Sequence, residues 1–171
     1  MTERQPYEVV GEHPGFELRR YPAHHLAETV VAGSFEGAGN TAFRALFRYI
    51  TGRNRSGTSI AMTAPVVQEG AAESGSFVVS FVMPRQYADE PPPAPDDPAV
   101  RVRRVPGHLA AATRFSGRWS RRSYEQHAEQ LLRDIAAAGL SVDGPMRFAR
   151  YDPPWTPWFL RRNEVVVPIA E

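Results

Sequence analysis

The stretch from Arg19 to Phe35 is written a second time from Arg103 to Trp119: RRYPAHHLAETVVAGSF and RRVPGHLAAATRFSGRW align without a gap at a spacing of 84 residues. Seven of the seventeen aligned positions are identical, namely Arg19/Arg103, Arg20/Arg104, Pro22/Pro106, His24/His108, Ala27/Ala111, Thr29/Thr113 and Gly33/Gly117. Solenoid and propeller units repeat at roughly 20–50 residues, so this longer spacing predicts one domain made of two similar halves around a pseudo-twofold axis. The halves fall at about 16–83 and 100–169 of a single domain covering 1–171. That length can bury a substantial core, and 42% hydrophobic with 11% aromatic content excludes a disordered chain.

Several chemistries are removed by composition. With no cysteine there are no disulfides, thiolate metal sites, cysteine nucleophiles or covalent c-type heme attachments, and a cytoplasmic setting is expected. All twenty basic residues are arginine, so no lysine is available as a Schiff-base former. A net charge of +1 predicts no strong attraction to nucleic acid or an anionic membrane. The polar N-terminus, MTERQPYEVV, is unlike a signal peptide, and the lack of a long apolar run predicts no membrane insertion.

Hydrophobic patterning predicts strands at Tyr7–Val10, Phe16–Tyr21, His24–Ala32, Ile60–Gln68 and Ser76–Met83 in the first half. A helix is expected from about Asn40 to Thr51, with Phe43, Leu46, Phe47 and Ile50 as one stripe and Gly52 as its stop. After the extended loop Pro84–Pro98, strands are predicted at Val100–Val105, His108–Phe115, Pro145–Tyr151 and Glu164–Ile169. A second helix, capped by Ser120 or Ser123, carries Tyr124, His127, Leu131 and Ile135 and ends at Gly139. Each half therefore reads β-β-α-β-β. Open sheet edges invite aggregation, so the expected fold is α+β: a distorted, largely antiparallel eight-stranded β-barrel with two flanking helices.

Three further tokens, MTAPV at Met62–Val66, YDPPWTP at Tyr151–Pro157 and RRNEVVV at Arg161–Val167, together with YEVV, FELRRY and the loop PPPAPDD, resemble the SOUL heme-binding protein family. The resemblance spans almost the entire chain. It implies two βαββ-like repeats, an architecture similar to GyrI-like effector-binding domains, and noncovalent binding of heme b or another tetrapyrrole for sequestration or transport. Such a ligand presents a flat apolar face and a charged edge. By alignment of FRALFRYITG, Arg48 falls where a propionate-binding lysine is proposed in one branch of the family, and Arg44 lies one turn earlier on the same helical face. Phe43, Phe47, Trp155 and Trp158 are the implied apolar partners. The histidine proposed as iron ligand in another branch corresponds here to Arg20, whose guanidinium stays protonated and does not ordinarily bind iron.

The candidate replacements for that ligand are His24, His25, His108 and Met62. Against ligation stand local hydrogen bonding for the histidines and packing for Met62; His24 and His25, adjacent on one strand, are expected to face opposite ways. His127 is expected at the edge of the core and His13 in solvent. The arginine pairs at 19–20, 103–104, 121–122 and 161–162 read as solvated or ion-paired surface. Glu164 carries two open alternatives. It is a buried acid or base of raised pKa with Tyr151 as a nearby donor, which makes the protein a small-molecule hydrolase or a tetrapyrrole-modifying enzyme, or it is a structural carboxylate bonded to backbone N–H groups, Arg161 or Arg162. An effector-sensing role is the remaining alternative, without any DNA-binding segment in this sequence.

Overall fold

In the computed structural model, which describes residues 2–70 and 74–171, the elements run β1 (Glu3–Arg4), β2 (Glu8–His13), β3 (Phe16–Tyr21), β4 (His24–Ala32), α1 (Phe35–Ile50), β5 (Thr63–Ala64), β6 (Val66–Glu69), β7 (Ser76–Val82), β8 (Arg101–Val105), β9 (His108–Phe115), α2 (Arg121–Ala137), β10 (Arg147–Arg150) and β11 (Asn163–Ile169). They form two compact units that interleave in sequence. One contains the chain up to Gln5 and Ala23–Pro106; the other contains Pro6–Pro22 and Gly107–Glu171.

In the first unit, β6-β7-β4-β8 pair antiparallel, and β1 lies parallel to β5. Ser34 caps α1 by accepting from the Gly37 N–H at 3.0 Å, satisfying one of the orphan donors at a helix start. The helix therefore begins at Phe35, five residues before the position expected from periodicity. Its buried side is Phe35, Ala38, Ala42, Leu46, Tyr49 and Ile50, spaced as 3.6-residue turns require. The expected stripe is thereby split: Leu46 and Ile50 are buried, whereas Phe43 and Phe47 stand at its outer edge. Phe35 meets Phe77 edge-on with centroids 5.9 Å apart, and Leu26, Val67 and Val82 form a cluster with Val105 against it. The expected strand Ile60–Gln68 is shorter and divides into β5 and β6 around Pro65, which has no N–H to donate to a ladder.

The second unit has the antiparallel order β10-β11-β9-β3-β2. Ser120 caps α2, accepting from Ser123 N at 3.2 Å. The helix buries Tyr124, Ala128, Leu131 and Ile135; Tyr124 packs edge-on to Phe115 at 5.0 Å and Phe148 at 5.1 Å while its hydroxyl donates to the Ala149 carbonyl at 3.1 Å. His127 stacks on Phe115 at 3.8 Å.

Within the text that is written twice, β3 and β4 are consecutive in sequence but not partners, and neither are β8 and β9. β3 pairs with β9, in register Arg19↔Ala110, Arg20↔Leu109 and Tyr21↔His108. β8 pairs with β4, in register Arg103↔Leu26, Arg104↔His25 and Val105↔His24. Shifting every residue by the 84 positions of the aligned text turns one set of pairs into the other. Each unit thus takes a strand from the opposite half of the chain.

The expected eight-stranded barrel does not form. β8 closes the strand order of the first unit and β2 that of the second, each with a single hydrogen-bonded neighbour among the described strands. Both ends carry features that keep a sheet open. β8 is RVRRV, and β2 carries Glu8 and Glu12 and shifts register between Val9 and Gly11; charge and a bulge disfavour further strand pairing.

Candidate functional site

The outward side of α1 presents a small amphiphilic surface. Phe43 and Phe47, one turn apart, stack with centroids 5.3 Å apart and planes 16° from parallel, and they remain 44% and 45% exposed. Phe43 is anchored from behind by an edge contact with Phe81 at 5.7 Å. Arg44 and Arg48 are exposed on the same helix, their Cβ atoms about 6 Å apart by helix geometry. Neither guanidinium has a hydrogen-bond or ion-pair partner among the described residues. A flat apolar platform beside two uncommitted cations fits a ligand with a planar hydrophobic face and carboxylates along one edge.

Trp155 and Trp158 belong to the other unit, in the loop between β10 and β11. Arg161 braces this loop by donating to the Thr156 and Pro154 carbonyls at 3.0 and 2.8 Å while lying 4.1 Å over the Trp119 ring. Trp155 is the most exposed large apolar residue here, at 82%.

Glu164 is fully buried and occupied. Arg19 grips it bidentately, Nη1 and Nη2 donating to Oε1 and Oε2 at 2.7 and 2.8 Å, and Arg162 adds a bond to Oε2 at 2.9 Å. Arg19 also donates to the Tyr21 hydroxyl at 2.9 Å and lies 4.0 Å over the Tyr7 ring; Arg162 donates to the Tyr7 hydroxyl at 3.0 Å. Burial alone would raise the carboxyl's pKa, but hydrogen bonds and charge from Arg19, then Arg162, outweigh it and hold Glu164 below the ordinary carboxylate value. The raised pKa expected for acid or base work is therefore corrected: an ion-paired carboxylate is a weak base and has no proton to give. Burial pushes the Tyr151 hydroxyl up, and Arg162 covers its ring at 4.0 Å. Of the partners read from sequence, Arg162 is present; Arg19 is the one missed, and it is buried rather than solvated. The alternation of FELRRY puts Arg19 opposite Phe16 and Leu18, the only local trace of its separate environment.

Of the candidate iron ligands, the two adjacent histidines are held by hydrogen bonds, whereas the buried Nε2 of His108 has no hydrogen-bond partner among the described residues. His25 is buried with Nδ1 2.6 Å from the Tyr87 carbonyl, and His24 faces the other way with its ring 3.3 Å from the Gln5 amide. His108 stacks on Tyr21 at 5.4 Å, and Met62 is half-buried. Among the described residues no group of three or more His, Asp or Glu side chains is arranged to hold a metal ion.

Comparison with solved structures defines the class first. The fold matches the C-terminal domain of EcmrR with a TM-score of 0.68 at 10% identity, covering 96% of this chain and 98% of that one. A hydrolase from Listeria innocua matches with a TM-score of 0.59 at 10% identity, over 90% and 91% of the two chains. At such identity the likeness is one of fold. The sequence is more specific: residues 2–168 match the family described as SOUL heme-binding protein, and the chain belongs to that family. Heme-binding protein 1 of Xenopus tropicalis is 30% identical over 164 residues, 91% of this chain and 85% of that protein. Heme-binding protein 1 of Mus musculus is 32% identical over 126 residues, 70% of this chain and 65% of the mouse protein, so that alignment spans just under two thirds of its length.

Proposed function

We propose that this protein binds heme or another tetrapyrrole noncovalently on the outward face of α1, and sequesters or carries it in the cytoplasm. The observation that carries this is the stacked, half-exposed Phe43–Phe47 pair flanked by the uncommitted Arg44 and Arg48. Phe43 and Phe47 meet the macrocycle, and Arg44 and Arg48 receive the propionates. Family membership and the names of the two relatives support the same ligand class. Arg20 stands at the family's proposed ligand position and is paired with Glu171 at 2.8 Å, so affinity rests on the macrocycle and propionates rather than on an iron–imidazole bond. Hydrolysis through Glu164 finds no support in its paired, lowered-pKa carboxylate.

The test is titration with hemin and with metal-free protoporphyrin, followed at the Soret band. Wild type saturates with both, and the four variants His24→Ala, His25→Ala, His108→Ala and Met62→Leu titrate as wild type does. Arg44→Ser/Arg48→Ser weakens binding by at least about tenfold, the equivalent of losing one charge-assisted hydrogen bond. Absence of a saturable shift, or unchanged titration of Phe43→Ser/Phe47→Ser, refutes the assignment.

A further inference from the structure

The loop between β10 and β11 holds apolar side chains in water at a cost the fold does not need. Trp155, Trp158, Phe159 and Leu160 are 82%, 47%, 57% and 65% exposed. They are not loose. Besides the two carbonyls bound by Arg161, the Asp152 carboxylate accepts from the Arg162 N–H at 2.5 Å, and Trp158 sits edge-on to Phe159 at 5.4 Å. A braced loop with an outward apolar cluster of this kind marks an interaction surface rather than core that failed to bury.

The charged groups stacked on its rings and on neighbouring Trp119 are arginines. Arg118 lies 5.2 Å over the Trp158 ring, and Arg150 and Arg161 flank Trp119 at 5.1 and 4.1 Å. From Arg114 to Arg122 the sequence RFSGRWSRR holds four arginines and no acid. Two of them, Arg121 and Arg122, open α2, whose first turn has no acidic residue. The helix dipole is positive there, so a carboxylate is the stabilising choice and arginines are not. Arg121 shares its charge with Glu125 at 3.2 Å; Arg118 and Arg122 are exposed. This placement breaks a local rule of stability, as functional surfaces do.

We propose that the Trp155–Leu160 loop is a peripheral anchor for anionic phospholipid surfaces, with the indoles and Phe159 seated at the headgroup–acyl boundary and Arg118 and Arg122 meeting lipid phosphates. Indole rings favour that boundary, and the exposed Arg118 and Arg122 near an apolar tip complement an anionic bilayer, while the acids of this region are already occupied, Asp152 by the Arg162 N–H and Glu125 by Arg121. The chain's net charge of +1 does not oppose this, because such attraction acts within a Debye length of about 8–10 Å and is set by the local patch. No described helix is long and apolar enough to cross a membrane, and none is required. The tetrapyrrole assignment on α1 stands or falls separately.

The test is co-sedimentation of the ligand-free 171-residue chain with vesicles of phosphatidylcholine alone or mixed with phosphatidylserine, with quenching of tryptophan fluorescence by lipids brominated on the acyl chain. Wild type pellets with the phosphatidylserine vesicles, is quenched, and is released by high salt. Trp155→Ser/Trp158→Ser weakens binding by at least about tenfold, and Arg118→Ser and Arg122→Ser by about fivefold each, with thermal unfolding temperatures near wild type because the side chains replaced are exposed. Failure of wild type to bind phosphatidylserine vesicles overturns the proposal. So does binding that the tryptophan double variant leaves unchanged, or an exposed loop whose only measurable effect is self-association in sedimentation velocity.

Discussion

Replacing Glu164 with glutamine removes the one carboxylate that both buried guanidiniums share. The side chains of Arg19 and Glu164 are 3% and 0% exposed and that of Arg162 is 12% exposed, so water cannot take over the lost charge. Breaking such a pair from one side costs about 3–5 kcal/mol, because the guanidiniums stay behind with only the partly exposed Glu17, 2.9 Å from Arg19 Nε, as an acidic partner. For a chain of ordinary stability, about 5–15 kcal/mol, that is a large fraction. In urea unfolding followed by tryptophan fluorescence, the midpoint of Glu164→Gln falls by about 2 M at a slope near 2 kcal/mol per M. Arg19→Met/Glu164→Leu, which removes both members, costs less than Glu164→Gln alone, since two apolar groups of similar size leave less charge stranded. The pH dependence follows from the depressed folded-state pKa. Above the unfolded-state value of 4.5 the pair's contribution is complete, and it is lost as pH falls through the lower folded value. The difference between wild type and Glu164→Gln therefore narrows on acidification below pH 4.5. A cost under about 1 kcal/mol at neutral pH, or a difference that does not change with acid, would refute the view that this carboxylate is held ionised by two arginines.

Leu46 is fully buried on the inner side of α1, and Leu46→Ala lowers stability by about 2–5 kcal/mol in the same assay through cavity formation. Ala112 is 2% exposed in a cluster with Tyr21, Ala110 and Val166 and pairs with Glu17 and Val166 on its two flanking strands; Ala112→Leu costs about 1–3 kcal/mol by overpacking beneath Arg19, and hydrogen exchange at β3 and β11 rises with it.

The local elements are legible because their causes are local. Period-two patterning marks β3, β4 and β9 at their observed boundaries, Ser120 is the one of the two candidate serines that caps α2, and His24 and His25 face opposite ways because neighbouring strand residues must. The candidate surface on α1 was legible as a list of residues. Its exposure was not, since Phe43 and Leu46 look equally apolar in sequence and only the packing of α1 on β4 and β7 puts one outside and the other in. The early start of α1 shows the same limit in reverse, because a single hydroxyl at Ser34 outweighs an indifferent run of Gly and Ala.

What the sequence alone determined, then, is the inventory: strands, helices, the text shared at 84 residues, and the residue types available for chemistry. The tertiary structure alone decided the partners. Nothing in the local pattern says that β3 pairs with β9 rather than with β4, or that Arg19 meets Glu164, 145 positions further along the chain. Side-chain alternation specifies which face of a strand is apolar, whereas pairing depends on which backbone edges are left free once every other strand is placed. The side chain of Arg19 runs beside β9, where Ala110 and Ala112 are small enough to let it reach β11, and that is a property of three strands side by side rather than of any one of them.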